Sequence, residues 1–244
     1  MPLNRNQIIE LIENEVLSAI QNSFKDNLLS VMLYGSILTD SYIPGISDIN
    51  ILIILENVKV QQLENFTKSS YKLIRKHKIT PLILSRTEFI NSADVFPLEY
   101  FDIKEKNRVI YGEDETKNLK ITDMNLRHQI ESGLRGNLTR LRQAIIASKA
   151  KDQVMKGFFK VWIGSILSMF RGLIRLKKET VGNLNHDEII EKMGKLYDIN
   201  PEVFKDVFHL RQKGKEVSLK DLTSYVHEEL KKLIAIIDKM DFNG

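Results

Sequence analysis

Apolar residues near the start of the chain recur at near-helical spacing and then give way to short uninterrupted apolar runs. The recurrence predicts an amphipathic helix that is capped by Asn4 or Asn6 and ends near 25–27. The runs 28–34 and 49–55 predict strands, and the second lacks alternation, which is typical of a strand covered on both faces. The stripe of the first helix consists of Ile8, Ile12, Val16, Ile20 and Phe24.

The next segment continues this order with one more helix and one more strand. Residues 59–78 carry apolar positions at roughly helical intervals and end in the basic run RKHK, and 79–85 is predicted to be a third strand. A short helix is expected at 86–94. The stretch 96–114 contains aromatic residues that favour a strand, which closes in a turn at Gly112.

Every later segment is helical in period, so a domain boundary is expected near 118. We predict an N-terminal domain at 1–118 and a C-terminal domain at 119–244. The predicted fold class is an α/β (α+β) domain with a short mixed sheet, followed by an all-α helical bundle. The expected helices of the bundle cover 123–148 and 152–178, with three shorter ones beginning at Asn185, Asn200 and Ser218.

Composition excludes several classes of protein and function. The absence of cysteine excludes disulfides, thiolate metal sites and cysteine nucleophiles. We expect no signal peptide and no membrane span, since the apolar stretch 158–170 is short and interrupted by Lys160; a cytoplasmic location is predicted. The net charge of +4 suits an anionic ligand, but with 36 basic and 32 acidic residues the excess is too small to favour nucleic acid.

One short stretch combines features that bind phosphate and metal ions. Gly35-Ser36 follows the first predicted strand, and Asp48-Ile49-Asn50 opens the second after a loop. This arrangement resembles the signature of the nucleotidyltransferase superfamily, in which a strand ends in Gly-Ser and a loop of about this length leads to Asp-x-Asp or Asp-x-Glu. The order of elements is similar to that of small bacterial members, among them antibiotic nucleotidyltransferases.

The motif's residue types have physical roles in such a site. Glycine at position 35 lets the backbone approach a phosphate, and the Ser36 hydroxyl adds a donor. Asp48 and Asn50 lie two apart, so their side chains share one face of a strand. In the family, two carboxylates there and a third on a neighbouring strand hold two Mg²⁺ ions. The resemblance therefore implies that Asp48 is a metal ligand.

The third and second carboxylates of this set are both missing from the chain. Asn50 brings an amide where a second carboxylate is expected, and the predicted strand at 79–85 contains no acid. We therefore expect a nucleotidyltransferase-like protein that binds a nucleoside triphosphate, ATP in the first place, through Gly35, Ser36 and Asp48. Mg²⁺ binding is expected to be weak or lost, and transferase activity weak or absent.

Two alternatives remain open at this stage. In the first, Glu99 and Asp102 converge in a turn and supply the missing charge, and the protein is an active Mg²⁺-dependent enzyme that moves AMP to a hydroxyl of a small molecule or protein. In the second, the basic surface makes the chain a nucleic-acid-binding module. Neither the acceptor, a partner protein nor a homo-oligomeric state follows from the sequence.

A polar stripe on the helix predicted at 123–148 is a further candidate. Arg127, Glu131, Arg135 and Arg142 fall on one face of that helix. Guanidinium groups grip phosphate with two donors, so Arg135 is predicted to contact the nucleotide. The alternative is a solvated face that contains an Arg–Glu pair.

Overall fold

A computed structural model of the chain describes residues 3–39, 42–149, 151–210 and 218–240. The chain divides into two compact units, Met1–Ile121 and Thr122–Gly244. The first combines helices with a sheet, and the second is helical in its described residues.

The sheet of the first unit has four strands in the order β3-β2-β1-β4. β1 pairs antiparallel with β2 and β4, whereas β2 pairs parallel with β3. The predicted short mixed sheet is confirmed, and so are the bounds of the first three strands. The strands are β1 (Leu28–Tyr34), β2 (Ile49–Leu55), β3 (Ile79–Ser85) and β4 (Asn107–Gly112).

Helices cover both faces of this sheet. The apolar side chains of β2 alternate between two clusters: Ile51 packs among residues of the first helices, and Leu52 packs with Phe89. The prediction that this strand is covered on both faces is confirmed. The helices are α1 (Arg5–Leu11), α2 (Leu17–Phe24), α3 (Val60–His77), α4 (Arg86–Asn91) and α5 (Pro97–Glu105).

A π-helical turn, Ile12–Val16, joins α1 to α2. The apolar stripe of this segment repeats at a strict interval of four, which exceeds the α-helical repeat of about 3.6 residues per turn and makes the stripe drift by about 40° at each step. A wider π turn reduces that drift. All five stripe residues, from Ile8 to Phe24, are consequently buried against the same core.

The stretch 96–114 differs from its prediction in its first half. Residues 97–105 form α5 instead of a strand, because Pro97 occupies the first helical turn and Leu98, Tyr100 and Ile103 become buried. Packing therefore overrides the β-propensity of the aromatic residues. The second half is the strand β4, and it ends at Gly112 as predicted.

Five helices form the described part of the second unit. The three shorter ones begin after the side-chain caps Asn185, Asn200 and Ser218, which confirms the predicted starts. The elements are α6 (Asp123–Ser148), α7 (Asp152–Leu176), α8 (His186–Tyr197), α9 (Pro201–His209) and α10 (Leu219–Asp238).

The helix α7 lies at the centre of this unit and packs against α6, α8 and α9. Within the described residues it alone is long and apolar enough to cross a membrane by length and composition. Of its most apolar window, 56% is buried inside the unit, as in the core helix of a globular protein.

Candidate active site

The turn after β1 requires glycine. Tyr34 ends the strand in an extended conformation, and Gly35 then turns the chain with φ of +80° into a 3₁₀ turn, Gly35–Leu38. A Cβ atom on Gly35 would lie 2.8 Å from Nδ2 of Asn50. Both the positive φ and this close approach exclude a larger residue without strain.

Strand pairing brings several polar residues to the same end of the sheet. Tyr34 is the β1 partner of Asn50, and it also pairs with Asn107 on β4. On the other side of β2, Thr80 is the partner of Asn50. Asp48 lies just before β2 and is exposed, whereas Asn50 is half-buried. Asp48 is therefore the one carboxylate among these five positions.

The loop that joins the turn to β2 is tied down by residues of α1 and α3. The backbone amide of Ile49 donates to the carbonyl of Lys78 at 2.9 Å, and the Lys78 ammonium donates to the carbonyl of Ile46 at 3.3 Å. Near the start of the loop, Nε of Arg5 donates to the carbonyl of Ile37 at 2.8 Å. Residues 40 and 41 lie outside the described part of the chain.

Of the two supplementary acids, Glu99 is linked to this end of the sheet. The pKa of the Tyr34 phenol is raised by burial first, then by the negative charge of Glu99 and by Tyr100. Glu99 therefore lies close enough to act electrostatically on the residue that precedes Gly35. The sequence analysis did not identify Tyr34 as a residue of this site. Its position directly before Gly35 was the available signal.

Glu99 and Asp102 do not meet in a turn, as the alternative from sequence required. Both lie on α5, where residues three apart share one helix face, because Pro97 starts a helix there. Glu99 is exposed and Asp102 is half-buried. That they converge through a turn is wrong; that either contributes charge to the site stays a prediction.

The side chains at this site do not fit two Mg²⁺ ions. Among the described residues, no group of three or more His, Asp or Glu side chains is arranged to hold a metal ion. Asp48 offers one carboxylate and Asn50 an amide oxygen, while Thr80 stands where a neighbouring strand would have to supply another acid. A single Mg²⁺ held by one carboxylate and by phosphate oxygens is compatible with this set.

Arg135 belongs to an ion-pair network inside the second unit. Its guanidinium bonds to Glu131, with Nε at 3.0 Å from the carboxylate, and to Asp238 on α10. The bond to Asp238, followed by that to Glu131, raises the pKa of Arg135. Nearby, Arg127 donates to the carbonyl of Ile237 at 3.2 Å. That Arg135 binds phosphate stays a prediction.

Comparisons with known proteins support the fold. No family model matches the chain, and no curated protein sequence does. Among solved structures, the spectinomycin adenyltransferase AAD(9) from Enterococcus faecialis, solved with ATP and spectinomycin, matches with a TM-score of 0.57. The match covers 91% of this chain and 99% of that chain at 16% identity, a level at which the likeness shows the fold alone. The chain therefore has a nucleotidyltransferase-like fold, in which a mixed α/β unit precedes a helical one.

Proposed function

We propose that this protein binds a nucleoside triphosphate, ATP in the first place, at Gly35, Ser36 and Asp48, and transfers its nucleotide weakly or not at all. The observation that carries the proposal is the donor set at the end of the sheet, where one carboxylate stands among Asn50 and Thr80. The adenyltransferase with the same fold was solved with ATP, which favours an adenine nucleotide.

Phosphate binding is supported by the turn at Gly35. Gly35 has a positive φ, and successive residues that combine such a conformation with a helical one form the concavities in which amide N–H groups bind anions. The Ser36 carbonyl accepts from the Thr39 amide at 2.8 Å and from the Thr39 hydroxyl at 3.0 Å, which closes the turn. The carbonyl therefore points into the turn and is not available to repel a phosphate oxygen.

Weak transfer is supported by the missing charge. At an effective dielectric constant near 20, a unit charge about 4 Å from another contributes roughly 4 kcal/mol before desolvation. Replacing a carboxylate by the neutral amide of Asn50 removes a contribution of that order from metal binding. Each ~1.4 kcal/mol lost from the transition state lowers the rate about tenfold, so the expected activity falls by orders of magnitude.

A second candidate is an active transferase that uses Glu99. The charge of Glu99 is one of the causes that raise the pKa of Tyr34, and this supports Glu99 rather than Asp102 as the supplementary acid. In this candidate, AMP passes to a hydroxyl of a small molecule or protein. The adenyltransferase of like fold was solved with spectinomycin, a small molecule, beside ATP.

Calorimetry and nucleotide incorporation distinguish the two candidates. ATP is titrated into the wild type and Asp48→Ala with and without Mg²⁺, and transfer is followed with α-labelled ATP. We expect ATP binding in the wild type, a Mg²⁺-dependent increment that Asp48→Ala removes, and no incorporation above background. Asp94→Ala, which removes an exposed carboxylate elsewhere in the same unit, serves as the matched control.

Three results would count against one or both candidates. Turnover in the wild type that Asp48→Ala abolishes would overturn the first candidate and support the second. Failure of ATP to bind at about 1 mM, a weak affinity near −4 kcal/mol, would overturn both. An effect of Asp94→Ala as large as that of Asp48→Ala would show that general charge, and not this site, determines binding.

A further inference from the structure

A cavity opens at the same end of the sheet as Gly35, against the helices α1 and α3. Its volume is about 320 Å³, which is the size of a small-molecule pocket. One wall is apolar and consists mainly of Ile8 and Leu11. The lining also includes a basic wall, formed by Lys76, His77 and Lys78 at the end of α3.

The charges of this basic wall are not neutralised by the fold. In the part of the chain that the structure describes, no carboxylate lies within ion-pair distance of Lys76, His77 or Lys78. The pKa of His77 is lowered by burial and then by the charge of Lys76, against an opposing effect of Glu15. A cavity with excess positive potential favours an anion.

The end of the α3 helix accounts for part of this arrangement. Basic residues in the last turn of a helix interact favourably with its dipole, and Arg75 does so without lining the cavity. The dipole does not account for apolar residues and cations lining the same cavity. The combination of an apolar wall and a basic wall matches a ligand with an apolar body and one anionic group.

Residues of the loop that precedes Asp48 complete the lining. Tyr42, Gly45 and Ser47 face the same cavity. Lys78 connects the basic wall to this loop, since its ammonium donates to the carbonyl of Ile46. An occupant of the cavity therefore contacts the loop that leads into the proposed nucleotide site, from the side of the sheet on which α1 and α3 pack.

We propose that this cavity binds a small oxyanion with an apolar body, a phosphate ester or carboxylate, between Ile8 and Leu11 on one wall and Lys76 and Lys78 on the other. The site is separate from Gly35 and Asp48, and the inference goes beyond the proposed nucleotide function. Phosphate and carboxylate share the chemistry of an anionic oxygen that accepts from an ammonium group.

Binding of phenyl phosphate and of benzoate, each followed by amide and imidazole NMR shifts, tests the site. We expect saturable shifts at Gly45, Ser47 and His77 with at least one of them. Phenol and inorganic phosphate, which carry only one half of the chemistry, are each expected to bind about tenfold more weakly or worse. The stronger of the two anionic probes identifies the ligand class.

Charge removal on the same helix supplies the matched variants. The double variant Lys76→Gln/Lys78→Gln is expected to lower the affinity for the probe about tenfold or more. The control Lys68→Gln/Lys72→Gln removes equal charge from exposed positions outside the cavity and is expected to change that affinity little. Asp48→Ala is expected to leave probe binding intact, so failure of the nucleotide proposal is distinguishable.

Three results would overturn the proposal. One is the absence of saturable shifts at the cavity residues with both anionic probes. Another is an equal loss of binding in the Lys68/Lys72 control, which would indicate a general charge effect. The third is an unchanged probe affinity when the cavity lysines are removed. If the Lys76/Lys78 double variant does not fold, this result is measured on the single variant Lys76→Gln, since Lys76 is exposed.

Discussion

Two polar regions of this protein differ in whether their charged side chains form ion pairs. In the second unit, the arginine stripe on α6 is paired within the unit: Arg135 binds Glu131 and Asp238, and Arg127 reaches the end of α10. In the first unit, Asp48 is exposed at the start of β2 and forms no ion pair with any described residue. Close to it, Gly35 holds a positive φ beneath the amide of Asn50.

Residues of the first kind have a structural role in the fold, whereas no structural role accounts for residues of the second kind. Internal ion pairs give the stripe a structural role, although exposed pairs of this kind contribute only about 0–1 kcal/mol each. A glycine turn beside an exposed carboxylate has no comparable structural role. Glycine adopts a positive φ without strain and lets a ligand approach the backbone closely, which is why the proposed function is placed at Gly35 and Asp48.

Gly35→Ala is expected to have the largest effect. The new Cβ would meet Nδ2 of Asn50 at 2.8 Å while the backbone keeps φ of +80°. Strain of this type costs of order 1–3 kcal/mol, so urea unfolding should show a loss of stability in that range. ATP affinity in calorimetry should fall about tenfold or more, because the turn or the Asn50 side chain must shift to relieve the contact.

Gly157→Ala is the control for this substitution. Gly157 lies within α7, and a Cβ there meets no atom within 4 Å. Alanine in the interior of a helix is more stable than glycine by roughly 0.5–1 kcal/mol, so this variant should be neutral or stabilised and should bind ATP normally. Equal behaviour of the two variants would remove the special status given to the Gly35 turn.

Asn50→Asp tests whether missing charge limits metal binding. The new carboxylate would share a strand face with Asp48, so Mg²⁺ should strengthen ATP binding about tenfold more in the variant than in the wild type. Without Mg²⁺ the variant should bind ATP more weakly, because two carboxylates then repel the triphosphate. Calorimetry at matched ionic strength measures both, and an unchanged Mg²⁺ increment would contradict the role assigned to Asn50.

The sequence was sufficient for elements with strong local signals. The runs that became β1, β2 and β3 are apolar and bounded by polar segments, and the caps Asn185, Asn200 and Ser218 mark helix starts by their own side-chain bonds. It was insufficient for α5, where Tyr100 stacks on Phe89 of α4 with ring centroids 4.9 Å apart, a contact between two helices that the local pattern of either segment does not show.

The same distinction between local signals and contacts made by folding applies to the candidate site. The Gly35-Ser36 and Asp48-Ile49-Asn50 motifs are local and could be recognised in the chain. That Thr80 and Tyr34 flank Asn50 depends on strand register, which one strand alone does not determine. The basic cavity forms because α1, a loop and the end of α3 come together in the fold. The run RKHK alone therefore gave no indication that apolar residues line the same cavity.

Arg135→Gln is expected to have a smaller effect than either site variant. It breaks the bonds to Glu131 and Asp238, which are exposed to solvent, so the free energy of unfolding should fall only slightly, and by less still at high salt. ATP affinity should change less than about twofold if pairing is the role of this residue. A tenfold loss of affinity would instead support the phosphate contact predicted from sequence.

Glu99→Gln should give the smallest effect, a lower pKa of the Tyr34 phenol. Burial is the largest cause of the raised pKa and is unchanged in the variant, so the pKa should fall toward 10 without reaching it. Because the folded-state pKa of Tyr34 is raised, its contribution to stability is fully present below the unfolded-state pKa near 10 and is lost as the pH rises through the folded-state pKa. Any difference in stability between the variant and the wild type should therefore appear only in alkali. NMR titration of ¹³C-labelled tyrosine measures this, with Glu105→Gln on the same helix as control. An unchanged Tyr34 pKa in Glu99→Gln would place that charge away from Gly35 and remove the observation that favours an active transferase.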